Sequence, residues 1–276
     1  MSLLKELERI REDAQAQIAV IRKFLKEIHQ TLAAQQSAIQ PSSPSPQEAG
    51  NLAKLLKACA DENRVPSFEQ VYRASPRGLQ KSLLDWAFLL KHQELLADMT
   101  LSQLVAVQEV FIKDYACAIL GSRKRMLRRR KKTLTYEEVY SHTSMRALIG
   151  HMARRLVDAE THGSIDDTAA FLETRLGIPP TDYSQWGTLR NATYRRNLIL
   201  HNRGITNDTY CKATGFKKRG ERLHTQTDDV MAVAQALLGF VDFLHARIIL
   251  KFKLNRHSEA RTGFKPGASP ASENPS

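Results

Sequence analysis

The chain has 276 residues, with 41 Lys and Arg against 29 Asp and Glu, a formal net charge of +12. That length holds one good-sized domain with an extension, or two small ones, and the cation excess favours nucleic acid or another anionic surface. Its three cysteines, Cys59, Cys117 and Cys211, are widely spaced, and its nine histidines form no HExxH cluster, which excludes a disulfide framework and the usual metal-ligand spacings.

Helical periodicity dominates from the first residues. Over residues 2–39, Leu7, Ile10, Ala14, Ile18, Ile21, Leu25, Ile28 and Leu32 recur by threes and fours, a near coiled-coil seam with one stutter at Ile18. Such a seam pairs with its copy in a second chain or packs on its own domain. Pro41-Ser-Ser-Pro-Ser-Pro46 breaks the pattern, and residues 40–50 read as a flexible linker. Connecting helices are predicted at Leu52–Ala60, Phe68–Tyr72 and Gly78–Leu96, the last with Trp86, Phe88 and Leu89 as core. Thr100 reads as the N-cap of a helix reaching Leu120, and Cys117 follows its apolar face. Tyr136–Tyr140, Met145–Ala159 and Asp166–Leu176 follow, the last stopped by Gly177 and two prolines.

The next helix runs from an N-cap at Ser184 to a left-handed stop at Gly204. At 100° per residue from Trp186, its packing arc holds Leu189, Ala192, Thr193, Ile199 and Leu200. Arg196 falls within that arc, and a charge on a packing face requires a partner. Asn197 and His201, one turn apart, share the neighbouring flank with Tyr194. Asn197 can orient the imidazole, and the helix dipole favours a protonated ring in the last turn. An arginine holds a phosphate in two-point contact, and a histidine moves a proton near neutral pH. Five residues of separation, however, turn Arg196 and His201 roughly 140° apart. Either the helix loosens near Asn202 or two copies of it share a cleft. A plainer reading makes Arg196 a packed cation held by a carboxylate and His201 a cap on the last carbonyls. The final helix is predicted from Thr227 to Leu254, with Met231, Ala234, Leu238, Val241, Leu244 and Ile248 inside. Residues 256–276 have almost nothing to bury and read as a disordered tail.

Trp186-Gly-Thr-Leu189 followed by Tyr194-Arg-Arg-Asn-Leu-Ile-Leu-His-Asn-Arg-Gly-Ile205 and Tyr210 resembles the HEPN (higher eukaryotes and prokaryotes nucleotide-binding) superfamily. Leu104–Tyr115 looks like its first core helix, and Phe171–Ile178 leads into the motif helix as in that family. The resemblance covers about residues 97–255. It implies an all-α helical bundle, a homodimer through the motif helix, and metal-independent endoribonuclease activity without a cofactor, as in many defence and toxin proteins. Arg196 and His201 would then be catalytic with Asn197 as the adjacent polar residue, and Glu109 or Tyr194 in support. Partners implied are RNA and an antitoxin or regulatory protein. Some family toxins carry a modified tyrosine two positions after the histidine. Arg203 stands there in this chain, so that regulation is not carried over.

Two basic clusters flank the motif. The first, Arg123, Lys124, Arg125, Arg128, Arg129, Arg130, Lys131 and Lys132, places eight cations in ten residues; the second holds Lys212, Lys217, Lys218, Arg219 and Arg222. Each is read as a solvated face or as an RNA phosphate contact, and the first also resembles a nuclear-localisation run. No aromatic ribbon interleaves with them, which speaks against sequence-specific base reading. No signal peptide and no apolar run near 18 residues is expected, giving a cytoplasmic protein without a membrane partner. Three functions follow: a metal-independent endoribonuclease, a non-catalytic RNA- or protein-binding dimer, and a coiled-coil assembly protein.

Overall fold

The structure, a computed structural model, describes residues 2–38, 46–61, 70, 77–127 and 134–254. Those residues are all-α, as the periodicity predicts. Helix α1 spans Leu3–Ala38, α2 Pro46–Asp61, α3 Arg77–Ser122, α4 Tyr136–Tyr140 and α5 Met145–Thr161. Helix α6, Ile165–Phe171, continues into a wider π turn at Leu172–Leu176; α7 is Trp186–Asn202, α8 Asp208–Thr214 and α9 Thr227–Phe252. The only β-type pairing among the described residues is one isolated bridge, Ile205 to Arg222. The predicted tail and the segment Phe68–Tyr72, apart from Gln70, lie outside the described residues.

The chain divides into two compact units, each assembled from separate stretches. The first comprises Met1–Glu12, Lys113–Pro180 and Val241–Ser276; the second comprises Asp13–Ile112 and Thr181–Phe240. In the first unit the core is built from Leu7 and Ile10 of α1, Ile119 and Leu120 of α3, Ala153 and Val157 of α5, and Leu244 and Ile248 of α9. A polar cluster is sealed within it. The Tyr115 hydroxyl donates to the Leu7 carbonyl (2.9 Å) and sits 2.7 Å from His245 Nδ1, with Tyr115 fully buried. The hydroxyl has one proton, and a carbonyl can only accept, so Nδ1 of His245 is the donor to the tyrosine oxygen. Burial, with the charge of Arg11, holds the His245 imidazole below its ordinary value.

The second unit buries Ile18 and Leu25 of α1, Leu101, Leu104, Val105 and Phe111 of α3, Trp186 and Leu189 of α7, and Val230, Leu237 and Phe240 of α9. Tyr183 is docked at the start of α7 by its hydroxyl, which donates to the Ala236 carbonyl at 2.8 Å. A β-carbon at position 239 would lie 2.3 Å from that oxygen, so Gly239 is what admits the tyrosine. The seam of α1 is therefore buried within its own chain at Leu7, Ile10, Ala14, Ile18 and Leu25, which is the self-packing alternative.

Two boundaries and one expected absence differ from the sequence reading. Helix α3 does not restart at Thr100. It runs unbroken through that residue, whose hydroxyl turns back to the Leu96 carbonyl at 2.7 Å instead of capping. Helix α2 begins at Pro46, so residues 46–50, expected as linker, are helical; proline suits a first helical position because its missing N–H has no intrahelical partner there. The expected absence of long apolar runs is also corrected. His92–Ser122 and Thr227–Phe252 are long and apolar enough to cross a membrane by length and composition, though half of each window is buried within the protein, as in a core helix.

Candidate functional site

Helix α7 presents the motif. Its N-cap is Gln185, not Ser184, and no side chain caps it; the Gln185 carbonyl instead accepts from the Thr188 amide at 3.1 Å. Trp186, Leu189, Ala192 and Thr193 are buried as the arc requires. Toward the end the face changes, with Leu198 buried and Leu200 58 % exposed, a correction to the expected packing of Leu200. The chain reverses just after the helix. Arg203 (φ 53°) and Gly204 (φ 74°) are both left-handed, and the Gly204 amide folds back to the Leu198 carbonyl at 3.0 Å.

Arg196 has the partner its position demands. Its guanidinium is ion-paired with the carboxylate of Glu109 on α3, the acidic residue singled out in sequence. The side chains are 18 % and 44 % exposed, so the pair stands at the edge of the core with the carboxylate facing out. Asn197 is half-buried, and His201 is exposed in the last turn. Tyr194 lies against Arg190, whose guanidinium carbon is 5.3 Å from the ring centroid. The helix stays regular to Asn202, so nothing in one chain loosens it to turn His201 toward Arg196. The structure thus brings Arg196 to Glu109 and leaves His201 on another side of the helix.

Arg195, which the sequence reading passed over, is a hub. It reaches Asp229 at 3.1 Å, the His224 carbonyl at 3.0 Å and the Thr225 hydroxyl at 3.5 Å. Thr225 in turn donates to Asp98, whose carboxyl is pushed above the ordinary carboxylate range by burial against the opposing pull of that hydrogen bond. The segment between α7 and α9 is therefore pinned. Thr206, 2 % exposed, accepts from the Gly220 amide at 3.0 Å through its carbonyl and donates through its hydroxyl to the Lys218 carbonyl at 2.7 Å. The Leu223 amide donates to Gly204 at 2.9 Å.

This pinned segment forms one wall of a cleft of about 370 Å³ lined by His29, Gln93, Glu94, His224, Gln226 and Asp228, among others. Glu94 Oε1 lies 2.9 Å from His224 Nδ1 and 3.5 Å from Arg222. His29 Nδ1 stands 3.5 Å from the Thr227 hydroxyl. Sequence reasoning missed this grouping because its members come from residues 29, 93–94 and 224–228, with no local spacing to mark them.

The basic residues fall into different environments. Arg123 stacks 5.6 Å from the Phe252 ring centroid and donates to the Phe252 carbonyl at 3.1 Å, while Lys124 and Arg125 are exposed. These belong to the first unit, and Arg128, Arg129, Arg130, Lys131 and Lys132 lie outside the described residues. Lys217, Lys218 and Arg219 are exposed in the second unit. Lys218 is 3.5 Å from Glu221 and Arg219 is 3.1 Å from Asp208, both at the surface. Among the described residues no three His, Cys, Asp or Glu side chains are grouped to hold a metal ion. Comparison of the chain with family models, curated proteins and solved structures finds no match.

Proposed function

We propose that the chain is a HEPN-type, metal-independent endoribonuclease acting as a homodimer, working in the cytoplasm within a defence or toxin system under a regulatory partner. The observation that carries this reading is the ion pair between Arg196 on the motif helix and Glu109 on α3, with part of both groups open to solvent. The pair holds a guanidinium at the edge of the core, where an incoming phosphate can take the place of the carboxylate on it.

In the proposed reaction His201 removes the proton from a ribose 2′-hydroxyl, and the 2′-oxygen attacks the adjacent phosphorus. Arg196 balances the charge gathering on the phosphate oxygens. The bond to the 5′-oxygen breaks, and the departing oxygen takes a proton from His201 of the second copy. The products are a 2′,3′-cyclic phosphate and a 5′-hydroxyl. Because Arg196 and His201 project about 140° apart on a regular helix, the second copy is needed to complete each site. Exposed Val110, next to Glu109, and exposed Leu200, one turn beyond Arg196, give that copy apolar surface to cover.

The test is cleavage of single-stranded RNA in EDTA. The native chain should yield cyclic-phosphate ends, and Arg196→Ala and His201→Ala should each lose roughly 10²- to 10⁴-fold in rate. A native chain that binds RNA as a dimer without cutting it refutes the enzyme. That result favours the second reading, a non-catalytic binding dimer, to which the burial of Arg196 (18 % exposed) and its carboxylate partner also lend support.

A further inference from the structure

The cleft between His29, Glu94 and the His224–Thr227 segment carries chemistry that the motif reading leaves unused. Glu94 is a carboxylate and can only accept, so the hydrogen at 2.9 Å lies on His224 Nδ1. That fixes the tautomer of a neutral ring and leaves a lone pair on Nε2, the arrangement in which a carboxylate orients a histidine as a general base. A second imidazole, His29 of α1, lines the same cleft of about 370 Å³. A base with its orienting acid and a second group able to return a proton are what a metal-free transesterification requires. A surface ion pair would account for His224 and Glu94, but not for a second histidine facing the same space.

The neighbourhood indicates the substrate class. Lys217, Lys218, Arg219 and Arg222 place four cations in the six residues that end two positions before His224, and Lys218, Arg219 and Arg222 are 75 %, 72 % and 61 % exposed. The run is held rigidly by Thr206 and by the bridge from Arg222 to Ile205. Arg222 reaches into the cleft's edge at Glu94. The other charged groups facing the histidines are Asp228 in the first turn of α9, Asp98 behind Thr225, and Arg195 at the His224 carbonyl. Arg222 thus joins the cationic run to the cleft at Glu94, the carboxylate that accepts from His224.

We propose that this cleft is a second proton-transfer site for RNA, with His224 as base, His29 as acid and Glu94 as the residue that positions His224. His224 Nε2 takes the 2′-hydroxyl proton, the 2′-oxygen forms its bond to phosphorus, and the bond to the 5′-oxygen breaks as protonated His29 supplies a proton. Atoms and charge balance without any co-reactant. The inference rests on the reading that the chain acts on RNA, and not on Arg196 or His201.

The experiment is single-stranded RNA cleavage by the full chain in EDTA, across pH, for the native protein and for His224→Ala, His29→Ala, Glu94→Gln, Arg196→Ala and His201→Ala, each checked for native helicity. The native rate should show a bell-shaped pH dependence, from one neutral and one protonated imidazole. With Arg196→Ala in place, so that the motif site does not contribute, adding His224→Ala or His29→Ala should lose about 10²-fold or more of the remaining rate. Glu94→Gln should lose less and shift the acidic limb of the bell, which the base His224 sets. Added imidazole should restore part of the rate to the two alanine variants, which a merely structural role would not allow. With Arg196→Ala in place, a remaining rate that neither His224→Ala nor His29→Ala lowers overturns the inference, and so does the absence of any remaining rate, which leaves the motif as the one site. Loss in the cleft variants of the native chain, with Arg196→Ala and His201→Ala unaffected, upholds the cleft and overturns the motif. A rate lowered by Arg196→Ala and His201→Ala, whose remainder is lost in the cleft variants and rescued there by imidazole, upholds both. A native chain that does not cut overturns both.

Discussion

Removing Glu109 tests whether Arg196 is held as the structure has it. Glu109→Gln keeps the shape of the side chain but takes away the charge, leaving a guanidinium that is 18 % exposed with only a neutral acceptor. Breaking a fully buried pair costs about 3–5 kcal/mol, whereas an exposed pair is worth about 0.2–1 kcal/mol. Arg196 is mostly buried, but Glu109 is 44 % exposed and water screens that end, so the coupling should fall between these limits, at about 1–2 kcal/mol. A double-mutant cycle of Glu109→Gln, Arg196→Gln and the double variant, read by chemical denaturation, isolates that coupling from the separate effects of each change. In thermal melts the single variant Glu109→Gln should lower Tm by about 2–4 °C per kcal/mol for a chain of this size. RNA binding should move the other way: with its carboxylate partner gone, Arg196 is freer to engage phosphate, and affinity should rise in Glu109→Gln while it falls in Arg196→Gln. A coupling below about 0.3 kcal/mol refutes the claim that the carboxylate holds the arginine. Parallel loss of RNA affinity in both variants refutes the exchange of carboxylate for phosphate.

Tyr115→Phe should cost about 1–3 kcal/mol, because the Leu7 carbonyl and the His245 Nδ1–H lose their shared partner inside the core; a melt within experimental error of native would contradict this. The His245 value lies below 6.5 when folded, so the unfolded chain takes up that proton first. Stability should therefore fall as pH drops below 6.5 and level off beneath the folded value, and His245→Gln should remove that portion of the slope in denaturation curves. Burial pushes the Cys117 thiol up to about 11 from 9.0, so its thiolate is about 100-fold scarcer; alkylation at pH 8 followed by peptide mapping should find it correspondingly slow, and labelling at the rate of a free thiol would count against its burial. Lys217→Gln and Lys218→Gln should each lower the slope of log affinity for single-stranded RNA against log salt by about 0.7, measured by fluorescence anisotropy, and an unchanged slope would remove them from the RNA surface.

The parts of this fold legible in the sequence are those fixed by local periodicity and local stops. The spacing of Leu7, Ile10, Ala14 and Ile18 gave α1 its buried seam, and Gly177 ended its helix in the left-handed geometry expected of glycine, whereas α7 stops one residue before Gly204, at the left-handed Arg203. Arg196 on a packing arc implied a carboxylate partner, and Glu109 occupies that place. What was not legible depends on tertiary satisfaction of polar groups. Thr100 has the side chain of a cap, but its hydroxyl finds the Leu96 carbonyl one turn back, and with no proline or glycine beside it the helix runs on. Leu200 satisfies the helical arc yet is exposed, and Leu198 takes the buried position near the end of the helix. Nothing in its local spacing marks Arg195; only its contacts with Asp229 and the His224 carbonyl, some thirty residues on, reveal a structural role.

That division of labour between two adjacent arginines constrains any account of the site. Arg195 is committed to backbone and carboxylate partners that pin the His224–Thr225 turn, and so cannot be released to a ligand without loosening one wall of the cleft. Arg196 has a single carboxylate partner that is itself nearly half exposed, so exchanging it for a phosphate leaves Glu109 in water and not stranded in the core. The cost of exposing Glu109 is small for the same reason that the pair is only moderately stabilising. Of the two, Arg196 is therefore the one placed to trade its partner during binding. A substitution at Arg195 should instead show itself first as weaker packing of the turn before α9, read as faster amide exchange at His224 and Thr225, with any loss of RNA binding following from that loosening.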